Sequence, residues 1–162
     1  MTARVGLGYD SHRFAAGRPL RLGGVTIPHT HGLAAHSDGD AVLHAIVDAL
    51  LGAASLGDIG TFFPDDDTQW KNADSSRFIK GALDAIAQAG FALQQVDVTI
   101  LAEKPKLVPF VQQMRAATAR TLGIAMEHVS MKAKTNEGMG WIGHGEGVAT
   151  IAIATLVPAG GG

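Results

Sequence analysis

Asp10 and His12 stand two residues apart in "GYDSHRF", after a short apolar, glycine-spaced run, "ARVGLGY", that predicts an N-terminal strand. Side chains alternate across a strand, so these two share one face while Ser11 takes the other. A carboxylate beside an imidazole can be a surface pair, a base with its orienter, or two legs of a metal site. A later stretch narrows the choice. In "DAVLHAIVDALLGAAS" the residues Val42, Leu43, Ile46, Val47, Leu50 and Leu51 recur at helical spacing, and Asp40, His44 and Asp48 make a polar stripe every four residues. The segment holds no Lys, Glu, Arg or Gln, the residues an exposed helix face normally shows, so His44 is either a satisfied core histidine or a functional one. Taken with Asp10 and His12 it completes a two-histidine, one-carboxylate set, common in catalytic zinc sites with a fourth position left for water or substrate. The spacing matches no local metal motif such as HExxH.

Other polar residues stand near these three. His36 and Ser37 precede the helix in "AAHSDGD", where Ser37 or Asp38 can cap it and the free N–H groups attract anions such as phosphate. His29 and His31, in "PHTHG", form a second H-x-H pair, but in a turn with no carboxylate close in sequence; exposed turn histidines are the simpler reading. Asp65, Asp66 and Asp67 read as a solvated acidic loop tip. In "KAKTNEGMGWIGHGEG" Lys132 and Lys134 share a strand face, with Thr135 opposite them unless the strand has ended. The glycines that follow could cradle phosphates, although Walker A spacing is absent. Glu137 could hold a magnesium ion against a diphosphate, since that ion favours few carboxylates plus phosphate oxygens.

Composition excludes several classes. The 162 residues suit one domain with a real core, being 46% hydrophobic and 17% charged. Net charge is −2 and no basic run appears, which argues against a nucleic-acid groove. With no cysteine there is no disulfide, no thiolate nucleophile and no Cys-based zinc site. No signal peptide or membrane-length apolar run is visible, so a cytoplasmic protein is expected.

The elements that must position these residues follow from periodicity. Residues 18–28, "RPLRLGGVTIP", read as a strand pair turning at Gly23–Gly24. The segment 56–74 reads as a long loop. A second helix runs from near Ser75 to Gly90, and a strand spans 93–103. A third helix lies within 107–123, and strands follow at 128–135 and 147–157, with 158–162 a frayed tail. The order predicts an α/β, or α+β sandwich, fold: one mixed sheet with helices layered on a face. The last strand is apolar on both sides, so its second face requires cover. Helices on both faces, or a sheet contact between subunits, would each provide it.

"GYDSHRF", "AHSDGDAVLHAIVDALLGAASLGDIGTFFPD", "ADSSRF", "DVTILAEKPKL" and "KAKTNEGMGWIGHGEG" together resemble the 2-C-methyl-D-erythritol 2,4-cyclodiphosphate synthase family, in register from Arg4 to Val157. The resemblance leaves no room for the transferase domain fused in some relatives. It implies a metal-dependent cyclising lyase of non-mevalonate isoprenoid biosynthesis. The implied substrate is 4-diphosphocytidyl-2-C-methyl-D-erythritol 2-phosphate, closed to the cyclic diphosphate with release of CMP. Carried over by position, the resemblance makes Asp10, His12 and His44 the ligands of one zinc per subunit and Glu137 the holder of a magnesium or manganese ion. His36 and Thr135 become transition-state stabilisers, with Ser37 beside the phosphate. Asp58, Ile59, Gly60 and the loop Phe63, Pro64, Asp65, Asp66 and Asp67 match the methylerythritol segments. Ala102, Glu103, Lys104, Pro105, Lys106, Leu107 and Val108 match the cytosine pocket, where backbone groups can read the base and side chains matter little. Lys134, Thr135, Asn136 and Glu137 match the cytidine diphosphate segment. The family's homotrimers, with active sites between subunits, would supply the missing cover. Two departures stand out: His144 where many members carry Arg, which makes any phosphate contact there pH-dependent, and Trp141 where a smaller aromatic is usual. The ligand set also fits a zinc hydrolase of phosphate esters or nucleotides with His36 as base, and the inter-subunit cavity allows a trimeric isoprenoid-diphosphate carrier.

Overall fold

The computed structural model describes residues 2–160. In chain order the elements are β1 (Arg4–Ala16), β2 (Leu20–Leu22), β3 (Val25–Ile27), β4 (His31–Leu33), α1 (Ala41–Ala53), α2 (Ile59–Phe62), α3 (Ser76–Gln88), β5 (Phe91–Leu101), α4 (Val111–Leu122), β6 (Val129–Lys134), α5 (Gly140–Gly143) and β7 (Gly147–Pro158). Five strands form one sheet in the order β4-β1-β7-β5-β6, and β2 pairs with β3 apart from it. The β5–β6 pair is parallel and the other pairs are antiparallel, so the sheet is mixed, in a single-domain α+β fold.

Local chemistry explains where the elements depart from the periodicity. The segment "HTHGLAAHSDGD" is not all loop: β4 lies in it, antiparallel to β1 from Phe14↔Leu33 to Ala16↔His31. Residues 56–74 hold α2 and a 3-10 turn at Thr68–Trp70, each started by an aspartate, Asp58 accepting from Thr61 N and Asp67 from Gln69 N. Neither Ser37 nor Asp38 caps α1. That residue is Asp40, whose Oδ1 accepts from Leu43 N at 3.1 Å. The same carboxylate takes the N–H groups of Gly23 at 2.8 Å and Gly24 at 2.7 Å, both in the left-handed region with φ of 58° and 76°. One buried side chain thus ties the β2–β3 turn to the start of α1. The strand before Thr135 ends at Lys134, and the glycine-rich stretch after it contains α5. β7 takes in Pro158, so the anticipated tail starts one residue later, and 161–162 fall outside the described residues.

The helices lie on one face of the sheet. Under α1, α3 and α4 sit the buried Val96, Val98, Ile100, Val129, Ala152, Ala154 and Leu156. Every α1 residue except Asp48 and Gly52 is buried, which is why its sequence is apolar nearly all round. The helix can sit this deep because β1 offers glycine beneath it. A Cβ at Gly8 would overlap the carbonyl oxygen of Ala45, and one at Gly6 that of Ala49. On the other face Val5, Leu7 and Tyr9 of β1 are 67%, 65% and 51% exposed, and Ile153 of β7 is 39% exposed. Cover by helices on both faces within one chain is therefore overturned; the second face is open, and apolar along β1 and β7.

Substituting Gly8→Ala should cost about 1–3 kcal/mol in urea denaturation, because α1 must lift to admit the methyl group. A loss below about 0.5 kcal/mol would show that the strand and helix are not in hard contact there.

Candidate metal centre and substrate clefts

β1 and the first turn of α1 bring Asp10, His12 and His44 together. Among the described residues they are the one His/Cys/Asp/Glu group with ligand atoms within 4.8 Å of one another. Asp10 Oδ2 lies 2.7 Å from His12 Nε2 and 3.3 Å from His44 Nδ1, and the two ring nitrogens are 3.4 Å apart. A tetrahedral ion with bonds of about 2.0–2.1 Å separates its ligands by about 3.3 Å, so two of the three edges match directly. Asp10 Oδ2 is buried and accepts no hydrogen bond. His12 donates its Nδ1 proton to the carbonyl of Ala34 at 2.7 Å, which leaves Nε2 bare and facing the cluster. Lone pairs converging on one point, with an orphaned carboxylate oxygen among them, fit a divalent metal ion.

The segment that supplies Ala34 is held by Arg18. Its guanidinium donates to the carbonyls of Ala35, at 2.6 Å, and Ser37. This residue carried no signal in the sequence, because its contacts are to backbone groups brought close only by folding. The polar stripe of α1 divides into three tasks. Asp40 anchors the hairpin, His44 joins the cluster, and Asp48 accepts from Ile59 N at 2.8 Å, holding the start of α2 beside it.

A cleft of about 580 Å³ opens over the triad. Of the residues named from sequence, His36, Ser37, Ile59, Gly60, Phe63 and Asp65 line it with Asp10, His12 and His44. Asp58, Pro64, Asp66 and Asp67 do not; Asp58 and Asp67 serve instead as helix caps. Phe63, Trp70 and Phe78 pack edge-on or tilted with centroids 5.0–5.5 Å apart and wall the cleft.

A separate cleft of about 310 Å³ gathers Ala102, Glu103, Lys106, Leu107, Val108, Lys134 and Thr135, with Lys104 and Pro105 outside its lining. The Glu103 side chain does more than the sequence reading allowed. It accepts from Asn136 N at 3.1 Å and Gly138 N at 3.3 Å, bracketing Glu137, whose φ of 53° is uncommon for a side-chain-bearing residue. Glu103 thus holds the loop that presents Thr135 and Glu137, both exposed. Trp141 belongs to a third cleft, of about 620 Å³, with Arg13, Phe14 and His31; His144 is exposed and outside all three linings. His29 packs against Phe14 at 5.3 Å, away from the triad.

Thr135 therefore does not share a cleft with His36. The sheet register explains the gap. Ser11, between the two β1 ligands, faces Ala149, then Leu101, then Lys134 across the sheet. Both clefts lie at one end of the sheet, but three strand spacings, about 14 Å, separate β1 from β6.

Fold and site together define a mixed-sheet α+β protein with an Asp-His-His metal-ligand set beneath a substrate-sized cleft. Residues 3–157 match the YgbB family, and the chain belongs to it. Its relatives in that family are 2-C-methyl-D-erythritol 2,4-cyclodiphosphate synthases. It is 52% identical over 153 residues to that of Salinibacter ruber, across 94% of this chain and 98% of the relative. To that of Burkholderia cenocepacia it is 51% identical over 161 residues, across 99% and 100%. Among solved structures, the bifunctional IspDF of Campylobacter jejuni superposes with a TM-score of 0.92 at 44% identity, covering 96% of this chain and 42% of that one. A 2-C-methyl-D-erythritol 2,4-cyclodiphosphate synthase in its CDP-bound form gives 0.87 at 38% identity, covering 95% and 100%. Among the described residues no helix is long and apolar enough to cross a membrane.

Without an ion the cluster must satisfy its lone pairs with a proton. Burial alone would raise the Asp10 carboxyl, but the His12 and His44 rings outweigh it and hold the pKa at about 2. His12 is shifted up: burial opposes its charge, while Asp10 and the Ala34 carbonyl favour it more strongly. Burial raises the Asp48 carboxyl, with Asp58 and Asp10 adding to the effect. For Asp10 the sign follows from a folded pKa below the unfolded one. Its stabilisation is complete above about pH 4 and is lost as pH falls toward about 2, a change of about 2 kcal/mol. Metal-free Asp10→Asn protein should lack that part of the acid limb when chemical denaturation is followed against pH; an unchanged limb would contradict the pairing.

Proposed function

We propose that this chain carries out the reaction of its family, converting 4-diphosphocytidyl-2-C-methyl-D-erythritol 2-phosphate to 2-C-methyl-D-erythritol 2,4-cyclodiphosphate and CMP, as a cytoplasmic enzyme of non-mevalonate isoprenoid biosynthesis. The observation that carries it is the Asp10–His12–His44 cluster, open to a cleft large enough for a phosphorylated sugar alcohol. An oxygen of the 2-phosphate bonds to the β-phosphorus. The bond from that phosphorus to the oxygen it shares with the α-phosphate breaks, and its electron pair leaves with CMP. No protein nucleophile is required, which suits a chain without cysteine; positioning and charge stabilisation do the work.

In this reading Asp10, His12 and His44 hold zinc, which supplies Lewis-acid polarisation of a phosphate oxygen when bound. Glu137 holds a magnesium or manganese ion against the diphosphate. His36 and Thr135 steady the charge of the transition state, and Ser37 lies beside the phosphate. Ile59, Gly60, Phe63 and Asp65 receive the methylerythritol part. The 102–108 segment and Lys134–Asn136 receive cytidine, in keeping with the CDP-bound form of a related structure. Any phosphate contact by His144 depends on pH, and Trp141 lines a pocket apart from the 102–108 segment.

The chain works as a homotrimer in this reading. Two features support it: the open apolar face carrying Val5, Leu7, Tyr9 and Ile153, and the split of His36 and Thr135 between two clefts. The triad cleft of one subunit would then be completed by the nucleotide segment of the next, and one catalytic domain per subunit suffices.

Purified protein should contain about one zinc per chain and turn the substrate into CMP and a cyclic diphosphate, resolved by phosphorus NMR. Inorganic phosphate or an open-chain diol phosphate as product would replace the cyclase reading with a hydrolase. His44→Ala should stay folded by circular dichroism yet lose the metal in elemental analysis; stoichiometric zinc in that variant would remove His44 from the ligand set.

A further inference from the structure

His44 can face the cluster as a ligand only if Nδ1 is bare, and an imidazole by itself does not decide which nitrogen carries the proton. For His12 the choice is made by a backbone carbonyl. For His44 no carbonyl plays that part; Nε2 meets two hydroxyls, Ser75 Oγ at 2.9 Å and Ser37 Oγ at 3.1 Å. A hydroxyl can donate or accept, so these contacts alone leave both tautomers open.

The next shell weights the choice through Ser75. Ser75 Oγ donates to Asp38 Oδ1, and Ser75 N donates to Asp38 Oδ2 at 3.0 Å. A carboxylate only accepts, so it takes the single hydroxyl proton of Ser75. Ser75 Oγ, the nearer of the two hydroxyls, is left as an acceptor toward His44, which favours the imidazole proton on Nε2. Asp38 is itself pinned, its Oδ1 accepting from Asp40 N at 3.1 Å and its N–H donating to the carbonyl of Ala73 at 3.0 Å. Ser75 is fully buried and His44 is 7% exposed, so water does not compete for these contacts. Ser37 Oγ also accepts from Gly39 N, at 3.3 Å.

We infer that Asp38 and Ser75 are positioning residues, a carboxylate–hydroxyl relay that locks His44 in its Nε2–H tautomer and presents Nδ1 to the metal. The inference rests on the metal reading above and extends it to two residues outside the triad and outside the lining of its cleft. Ser75 also starts α3, although its side chain makes no capping bond there. The relay therefore joins the α3 start to a ligand on α1, across 31 residues of sequence. Outer partners of this kind are typically worth about 10- to 100-fold in metal affinity.

The test uses metal-free protein labelled with nitrogen-15 and long-range proton–nitrogen NMR at alkaline pH, with zinc affinity measured by chelator competition. Wild-type His44 should show the Nε2–H pattern. Ser75→Ala should populate the other tautomer and weaken zinc binding about tenfold or more, and Asp38→Asn, which loses an acceptor, should shift both in the same direction. A dominant Nδ1–H pattern in wild type overturns the relay, and that measurement stands even if a variant fails to fold. Ser75→Ala with wild-type tautomer and affinity overturns it as well. A wild type with the Nε2–H pattern that binds no zinc overturns the metal reading itself, and the relay's purpose with it. The two failures are distinct because the tautomer is read without metal.

Discussion

The seating of α1 directly on β1 is the constraint from which the rest of the structure follows. Backbone meets backbone at Gly6 and Gly8, so the helix lies closer to the sheet than side chains would permit. Only at that distance can an imidazole from the first turn of α1 reach a carboxylate and an imidazole on β1, with contacts of 3.3 and 3.4 Å. The cost is a helix buried nearly all round, and its apolar sequence meets it: eleven of its thirteen residues are buried. The ligands therefore stand on rigid elements locked by close packing, the condition for a site held to fractions of an ångström.

Buried and half-buried carboxylates do most of the remaining placement, each by collecting backbone N–H groups. Asp40 gathers Gly23, Gly24 and Leu43, Asp48 takes Ile59, and Asp38 takes Ser75 and Asp40. Glu103 does the same for the loop around Glu137. Such bonds are strong because one partner is charged, and they are costly to lose once water is excluded. Loops with little regular structure are thereby fixed around the cleft without a large core of their own.

In the proposed homotrimer the two clefts of one sheet would be half-sites. The ends of β1, β5 and β6 emerge along a single edge, yet the triad and the Thr135 loop stand too far apart to grip one phosphate from within a chain. The apolar outer face of β1 and β7 offers surface for a neighbouring copy. Open apolar area and divided chemistry both support the proposed homotrimer.

Much of the fold was legible because it rests on local rules. Alternation revealed β5, an apolar run on both faces β7, helical spacing α1, flanking Ser, Pro and Gly signals α3 and α4, and Gly23–Gly24 the hairpin turn. Strand geometry likewise put Asp10 and His12 on one side, and the bare polar stripe drew attention to His44. What the residue order could not decide was everything set by non-local backbone contacts. The short β4 exists only because β1 pairs with it, and the helix cap passed to Asp40 because the hairpin turn lies beside it. Arg18, Glu103, Asp38 and Ser75 gained their tasks from carbonyls, amides and hydroxyls brought near from distant positions. Local sequence determined which side chains could bind a metal; tertiary structure alone decided which protons those side chains carry and which loops they hold, because both depend on partners many residues away.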